Sequence, residues 1–477
     1  MFQDRLFNDG WQFFLCGNDE FTAENVEGET FTDVEIPHDW LIGDTRNLYK
    51  SGDGWYRKTF IVTAEMLEGR VFLSFDGVYM DSTLYVNGKA VGDWKYGYSS
   101  FSFDITDYLK EGENRVLVVA RYKSPNSRWY SGAGIYRNVW LKIRNTEYIK
   151  ENGIYISPRF ENEEWNVYVD AETVGEGKVT HTIIDETGAE IASGEGRSCV
   201  INVNNPKIWD IYQGNLYTLR SDLYSSDTVV DSQKNVFGFR TISLDPQKGF
   251  IINGRHEKIH GVCMHHDLGA LGAAMNETAL KRQLDILKSF GVNAVRTSHN
   301  MPSRELVRLC DEMGILLDDE SFDMWEGAKT EFDYARFFPD WYKIDVEAWV
   351  KRDRNSPSVF MWSIGNEIAD TNSSLRGLEV AKMLKEEVLK HDPRENAVST
   401  IASNYMAWEN AQKVADYLKQ GGYNYAERLY DQQHKDSRWR LPPRQVSANP
   451  ARARGRSGSA PDCRWCRGRR CWRRCRW

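Results

Sequence analysis

The chain has 477 residues, a formal net charge of −8, 41% hydrophobic residues and 27% charged residues. This length exceeds what one hydrophobic core supports, so two to four domains are expected. No run of 18 apolar residues occurs, and the start MFQDRLFNDGWQF lacks a basic region followed by an apolar stretch, which argues against a membrane partner or a signal peptide.

Residues 1–147 predict an antiparallel β domain. Short apolar runs alternate with turn residues, as in 71–77, 115–122 and 138–143. Asn87-Gly88 joins two further runs, and this dipeptide favours a type I′ hairpin because both central residues of that turn need a positive φ. The pattern indicates a β-sandwich of the jelly-roll type.

Residues 148–245 continue the β pattern on a smaller scale. Alternating runs at 165–171, 179–185 and 216–224 carry no helical periodicity. Their number and the length of the segment predict one immunoglobulin-like sandwich.

From residue 246 the pattern changes to strands that alternate with helices. In the first helix, Leu280, Leu284, Leu287 and Phe290 share one face, and Gly291 stands where a C-terminal cap belongs. Short buried strands that alternate with helices predict a parallel sheet of a (β/α)₈ barrel. The predicted strands are 259–265, 293–299, 315–321, 358–367, 397–402 and 414–418, and the predicted helices are 277–290, 303–313, 341–353 and 375–390.

A complete barrel needs eight strands and typically ~250 residues, whereas six strands are predicted here. We therefore expect an incomplete barrel over 246–436, with about two strand–helix units missing. Residues 437–477 form an Arg- and Cys-rich tail that we expect to be disordered. From Arg438 onward the chain has 13 Arg and one Asp but no Lys, Glu, Ile, Phe, Tyr, Met or Thr. This abrupt change in amino-acid composition resembles translation of the gene in a wrong reading frame. A genuine Arg-rich tail is the alternative.

Two features of the tail suggest other functions. Cys463, Cys466, Cys471 and Cys475 have spacing near that of a zinc knuckle, and the arginines could hold nucleic acid. We expect no metal site, because a zinc module needs a foldable context as well as the spacing. We expect no nucleic-acid partner, because the first 437 residues carry a net charge of −20. The four other cysteines are far apart and lack disulfide or metal spacing, which favours reduced thiols and a cytoplasmic location: Cys16, Cys199, Cys263 and Cys310.

Polar residues end the predicted barrel strands. In a (β/α)₈ barrel, the reactive groups lie at the carboxyl ends of the strands, so these residues are expected to meet at one rim. Glycoside cleavage with retention needs one carboxylic acid to protonate the leaving oxygen and a second carboxylate ~5–5.5 Å away to attack the anomeric carbon. The strand-ending residues are His265, His266, Asp267, His299, Asn300, Glu320, Asn366 and Glu367.

Seven strings across residues 1 to about 436 make the chain resemble glycoside hydrolase family 2, which combines a jelly roll, an immunoglobulin-like sandwich and a catalytic barrel. They are PHDW (37–40), SGDGWYRKTF (51–60), YVNGK (85–89), GAGIYRNVWL (132–141), IHGVCMHHD (259–267), VRTSHNMPSRELVRLCDEMGILLDDES (295–321) and MWSIGNE (361–367).

The resemblance implies a role for several residues. Glu367 is the implied general acid/base, and Asn366 the residue that holds the sugar 2-hydroxyl. Cys263-Met264 and the string HNMP depart from the commoner family pattern. No cofactor is implied, and a homo-oligomer is compatible with the sequence. The other implied substrate-binding residues are His299, His265, Asp267, Asn424 and Tyr425.

The implied nucleophile is not found. The family carries it on strand seven, which is expected after residue 436, and no Glu follows Glu427. We therefore expect a hydrolase of terminal β-D-galactosides by double displacement, with this chain itself inactive. A β-glucuronidase is the alternative within the class, and a β-mannosidase is a weaker one. A non-catalytic carbohydrate-binding fragment and a nucleic-acid-binding protein are the alternatives of other classes.

Overall fold

Two antiparallel sheets face each other in the first domain of the computed structural model, which describes residues 2–436. The sheets have the orders β1-β10-β5-β8 and β3-β2-β4-β9-β6-β7. Their inner faces enclose a core that includes Trp11, Leu73 and Val118, as a jelly roll requires. The elements are β1 (Gln3–Leu6), β2 (Trp11–Cys16), β3 (Thr32–Val34), β4 (Gly52–Val62), α1 (Ala64–Leu67), β5 (Arg70–Phe75), β6 (Ser82–Val86), β7 (Lys89–Trp94), β8 (Phe101–Asp104), β9 (Gly112–Tyr122) and β10 (Val139–Arg144).

The predicted hairpin at Asn87-Gly88 is confirmed. It joins β6 and β7, and the two residues have φ of 50° and 77°. Both values lie in the left-handed region that a type I′ turn demands.

The second domain is a smaller sandwich, as predicted. Its sheets have the orders β11-β12-β15 and β14-β13-β16-β17. Ile156, Val167 and Leu219 belong to the core between them. The elements are β11 (Tyr148–Glu161), β12 (Glu164–Val174), β13 (Lys178–Ile184), β14 (Glu190–Glu195), β15 (Ser198–Val203), β16 (Tyr217–Ser225) and β17 (Thr228–Phe237).

A short antiparallel sheet, β18 (Ile242–Asp245), β19 (Gly249–Ile252) and β20 (Arg255–His256), leads into a parallel sheet of six sequential strands. Strands that follow one another in sequence and in space, with helices between them, form part of a (β/α)₈ barrel. The strands are β21 (Gly261–Met264), β22 (Ala294–Thr297), β23 (Leu316–Glu320), β24 (Val359–Asn366), β25 (Val398–Ser403) and β26 (Gly422–Tyr423). The helices are α2 (Glu277–Ser289), α3 (Arg304–Met313), α4 (Phe338–Asp353), α5 (Asp370–Ser373), α6 (Arg376–His391), α7 (Glu409–Leu418) and α8 (Tyr430–Asp436).

Two sequence predictions in the barrel are wrong. Residues 414–418, predicted as strand six, lie in α7, because Ala411, Val414, Ala415 and Leu418 repeat at helical spacing and are all buried. The sixth strand is β26. Phe290, predicted to share the face of Leu280 and Leu284 on α2, follows the last turn and is 82% exposed.

The jelly roll packs over the carboxyl end of the barrel sheet. The Tyr96 hydroxyl donates to the Ser321 carbonyl at 2.5 Å, and Ser321 directly follows β23. Arg137 is 1% exposed and donates to the carbonyl oxygens of Met301 and Pro302, which follow β22, at 3.0 and 3.1 Å. These contacts hold the β7–β8 loop, which carries Tyr96, and the β9–β10 loop, which carries Arg137, above the ends of the strands.

Asp39 provides a second link between the β9–β10 loop and the barrel. Its carboxylate accepts from the Tyr130 hydroxyl at 2.6 Å and from the Ala133 amide at 3.0 Å, both in the β9–β10 loop. It also accepts from the amide of Ala273, which lies between β21 and α2, at 2.9 Å. Asp39 is 4% exposed, so these bonds form in a desolvated junction where each is strong.

In residues 2–436 no helix has the length and apolar character needed to cross a membrane. Cys16, Cys199, Cys263 and Cys310 are unpaired. The predictions for residues 437–477, namely disorder, the zinc-knuckle alternative and the wrong-frame tail, lie outside the described residues, as does a nucleophile after residue 436.

Candidate active site

Glu367 follows the last residue of β24, at the carboxyl end of the sheet. The residue is 7% exposed, and its backbone φ is 49°, in the left-handed region that disfavours a glutamate. The Glu367 amide donates to the Ala402 carbonyl at 2.7 Å, which anchors this conformation to β25. A strained backbone that its neighbours enforce is typical of a residue placed for function.

Asn366 lies fully buried beside Glu367. Its Oδ1 accepts from Arg296 Nη2 at 2.9 Å and from Asn424 Nδ2 at 2.8 Å. Its Nδ2 donates to Asp323 Oδ1 at 2.8 Å. Because Arg296 can only donate and a carboxylate only accepts, this arrangement fixes which end of the amide is oxygen.

Asn424, just after β26, reaches both members of the pair. Besides its bond to Asn366, its Nδ2 donates to Glu367 Oε1 at 3.1 Å. Tyr425, the next residue, is 53% exposed, and its pKa is raised by partial burial and by the nearby charge of Glu367. The structure thus brings Asn424 and Tyr425, two of the implied substrate-binding residues, close to Glu367.

Arg128, on the β9–β10 loop of the jelly roll, enters the same site. Its Nη1 donates to Glu367 Oε2 at 3.2 Å. Its Nε and Nη2 form a fork on Asp323, at 3.1 Å to Oδ2 and 2.6 Å to Oδ1. Asp323 is 1% exposed, and Lys329 Nζ also donates to its Oδ1 at 2.8 Å. Burial lowers the pKa of Lys329, and the charge of Asp323 opposes that effect.

His299 is held by Glu320 at the end of β23. His299 Nδ1 lies 2.6 Å from Glu320 Oε1, and Arg296 Nε donates to Glu320 Oε2 at 3.0 Å. Ser363 Oγ donates to the same Oε2 at 2.7 Å. Burial alone would raise the pKa of Glu320, but the charges of Arg296 and His299 outweigh it and lower the pKa to about 2. Glu320 is therefore an ionised anchor that orients the His299 ring.

The rings of His265 and Trp129 lie next to the His299 ring. The Trp129 ring centroid lies 5.4 Å from that of His265 and 5.8 Å from that of His299. Trp129 Nε1 donates to the Tyr98 hydroxyl at 3.1 Å, which fixes the indole plane. Burial lowers the pKa of His265, so its ring is neutral near pH 7. An aromatic face of this kind suits the apolar side of a sugar ring.

Asp267 lies further out than the other predicted residues. It is half-buried, and its carboxylate accepts from the Gly269 amide at 3.4 Å within the turn after β21. It contributes charge near His265. Sequence reasoning missed Arg128, Trp129, Arg296, Asp323 and Lys329. The sequence did carry a signal for Arg128 and Trp129. They lie in the string SRWY (127–130), where a basic residue adjoins aromatic residues, just before the family-like string GAGIYRNVWL (132–141).

Two carboxylates adjoin the Asn366–Glu367 pair, and neither suits attack on an anomeric carbon. Asp323 receives Arg128, Lys329 and Asn366, and Glu320 receives Arg296, His299 and Ser363. Both are buried and their oxygens are occupied by donors. Over residues 2–436, no group of three or more His, Cys, Asp or Glu side chains has a geometry that could hold a metal ion.

Models of one family match the chain in three consecutive segments. Residues 18–146 match "Glycosyl hydrolases family 2, sugar binding domain", residues 148–240 match "Glycosyl hydrolases family 2", and residues 245–438 match "Glycosyl hydrolases family 2, TIM barrel domain". The chain belongs to glycoside hydrolase family 2. The fold predicted from the sequence is thereby confirmed, including the order of the three domains.

Relatives in this family are named for more than one activity. The chain is 42% identical over 413 residues to beta-galactosidase BoGH2A of Bacteroides ovatus, covering 79% of this chain and 48% of that protein. It is 27% identical over 440 residues to a beta-glucuronidase of Bacteroides fragilis, covering 84% of this chain and 61% of that protein. The chain thus spans about half the length of the Bacteroides ovatus enzyme.

A solved structure supports the same assignment. The crystal structure of a glycosyl hydrolase family 2 member from Bacteroides cellulosilyticus matches with a TM-score of 0.84 at 31% identity. The match covers 91% of this chain and 60% of that one.

Proposed function

We propose that the site serves the hydrolysis of terminal β-D-galactosides, with Glu367 as the general acid/base. The observation that carries the proposal is the Asn366–Glu367 pair at the end of β24, held between Asp323, Asn424 and the Ala402 carbonyl. A fixed carboxyl group at the carboxyl end of a barrel strand is where this fold presents catalytic residues.

A named relative supports a galactoside as the substrate. The relative that is 42% identical to this chain is a beta-galactosidase. Within the site, Arg128 and Lys329 both pair with Asp323, and Arg296 pairs with Glu320. Glu367 must be protonated to act as the acid, so it does not count among the carboxylates that balance these cations.

In the proposed reaction, the Glu367 carboxyl donates its proton to the glycosidic oxygen while the bond from the anomeric carbon to that oxygen breaks. A second carboxylate attacks the anomeric carbon and forms a glycosyl ester. Glu367, now a carboxylate, then takes a proton from water as the water oxygen displaces the ester. Asp323 and Glu320 are unsuited to the attack, and no Glu follows Glu427. We therefore propose that this chain does not turn over galactosides on its own.

An external nucleophile tests this proposal on the chain as it is. With 2,4-dinitrophenyl β-D-galactoside, the leaving group needs no proton, and azide can attack the anomeric carbon as dinitrophenolate departs. We expect the chain to release dinitrophenolate from the galactoside only when azide is present, with α-galactosyl azide as the product. The matched glucuronide should give no azide product.

Each other outcome has a defined meaning. Equal product from the glucuronide would refute the sugar specificity. Turnover without azide would show a nucleophile that we have not recognised. No azide product from either substrate would show that the chain does not form a working galactoside site, as expected for a non-catalytic fragment. A cytoplasmic location is also proposed, supported by the four unpaired cysteines of residues 2–436.

A further inference from the structure

Asp323 is the point where three separate parts of the chain meet at the candidate site. It lies just beyond β23, and its carboxylate receives Arg128 from the jelly roll, Lys329 from the segment before α4, and Asn366 from β24. It is 1% exposed, although it carries a charge. A buried carboxylate with several charge-assisted donors holds those donors in place more firmly than a neutral acceptor could.

Asp323 and Arg296 together determine which way the Asn366 amide faces. The carboxylate accepts one hydrogen of Nδ2, while Arg296 and Asn424 occupy Oδ1. A second Nδ2 hydrogen remains, and none of the hydrogen bonds seen within residues 2–436 uses it. Toward a ligand, Asn366 therefore offers a donor and not an acceptor.

Asp323 also determines where Arg128 points. The fork formed by Nε and Nη2 on the two carboxylate oxygens leaves Nη1 directed at Glu367. A planar guanidinium bound in two places has little freedom to turn, so the direction of Nη1 follows from the position of Asp323.

We propose that Asp323 is a positioning residue for sugar recognition: it presents Asn366 as a hydrogen-bond donor to the hydroxyl next to the anomeric carbon and holds Arg128 against Glu367. This inference rests on the proposed function, because it takes a β-galactoside as the ligand. Asp323 itself does not touch the sugar. It acts through two side chains from different domains.

The first test compares Asp323→Asn with the original chain in binding methyl 1-thio-β-D-galactoside and its 2-deoxy analogue by calorimetry. An Asn at this position carries no charge and has one acceptor oxygen where the carboxylate has two, so it holds Asn366 Nδ2 and the Arg128 fork less firmly. We expect at least a tenfold loss of affinity for the thiogalactoside and less than a twofold change for the 2-deoxy analogue. Equal losses for both ligands would indicate a general structural defect and overturn the proposal.

The control is Asp319→Asn. Asp319 is fully buried four residues earlier, and its Oδ1 accepts from Trp349 Nε1 at 2.7 Å, away from Arg128. We expect it to leave both affinities unchanged. If Asp323→Asn does not fold, Asp323→Glu keeps the charge but displaces the oxygens by one methylene, and the same selective loss is expected.

A second measurement does not depend on sugar binding. Trypsin must draw the arginine side chain into its own pocket, so the bond between Arg128 and Trp129 is protected while the guanidinium is bound to Asp323. We expect cleavage there to accelerate at least fivefold in Asp323→Asn and to stay unchanged in Asp319→Asn. Unchanged cleavage in Asp323→Asn would overturn the proposal. If the original chain binds no thiogalactoside but the cleavage result holds, the proposed function fails and the hold of Asp323 on Arg128 stands.

Discussion

Nη1 of Arg128 lies 3.2 Å from Oε2 of Glu367, although 239 positions separate the two residues in the chain. One belongs to the jelly roll and the other to the barrel. The N-terminal domain is therefore part of the candidate site and not only an attachment to it.

Replacing Arg128 by Met should weaken thiogalactoside binding and lower the midpoint of thermal unfolding. Asp323 would keep only Lys329 as a cationic partner, and a buried carboxylate that loses a partner costs about 1–3 kcal/mol. Arg115→Met is the control, since its ion pair with Glu27 is 43% and 36% exposed and such pairs contribute little. Equal effects of the two substitutions would argue that Arg128 is an ordinary surface residue.

Glu320→Gln should destabilise the protein at neutral pH and flatten its acid denaturation. Folding lowers the pKa of Glu320 from 4.5 to about 2, so its stabilisation is complete above pH 4.5 and is lost as pH falls through about 2. The difference between the two proteins, on the order of 3 kcal/mol at pH 7, should shrink across that window. Urea titrations from pH 7 to pH 2 measure it, and a constant difference would contradict the role of Glu320 as an ionised anchor.

Asp318→Asn should stabilise the protein at pH 8 but not at pH 4. Burial, with Glu320 nearby, raises the pKa of Asp318 from 3.8 to about 7, and its Oδ1 has no hydrogen-bond partner among the described residues. The folded state thus prefers the protonated acid, and the cost of ionisation grows from pH 3.8 up to about 7. Asn resembles the protonated form at every pH. A gain in the unfolding midpoint that is equal at pH 4 and pH 8 would refute this account.

Gly132→Ala should disturb the site more than Gly88→Ala, although both glycines have positive φ, 67° and 77°. A Cβ at Gly132 would lie 2.4 Å from the Ala273 Cβ and 2.8 Å from Asp39 Oδ2, whereas nothing lies within 4 Å at Gly88. Gly88→Ala should cost about 1–2 kcal/mol from backbone conformation alone. Gly132→Ala should cost more and also weaken thiogalactoside binding, because the loop that carries Arg128 must move. Similar unfolding midpoints and affinities for the two variants would count against this packing argument.

The fold was predictable because its signals are local. The Asn87-Gly88 turn and the short apolar strands ending in polar residues are each visible within about ten positions. The error at 414–418 arose because five mostly apolar residues fit a strand, and only the wider spacing from Ala411 to Leu418 reveals a helix.

The candidate site was only partly predictable, for a physical reason. Residues that end barrel strands, such as Asn366 and His299, are brought together by the regular geometry of the sheet. Arg128 reaches the same place through the packing of one domain on another, and no periodicity in the chain records that packing. Lys329 lies in an irregular segment, where the position of a residue in the sequence does not specify the direction of its side chain.

The bonds of Asp39 also limit how such proteins can be rearranged by recombination. In a chimera that joined this barrel to a jelly roll from a distant relative, the new jelly roll would have to supply two groups. One is an acceptor for the Ala273 amide, and the other is a donor to Glu367 in place of Arg128. Grafts that exchange the two domains together should succeed more often than grafts that exchange one. Inheritance of the two as a single block is the pattern that this junction favours.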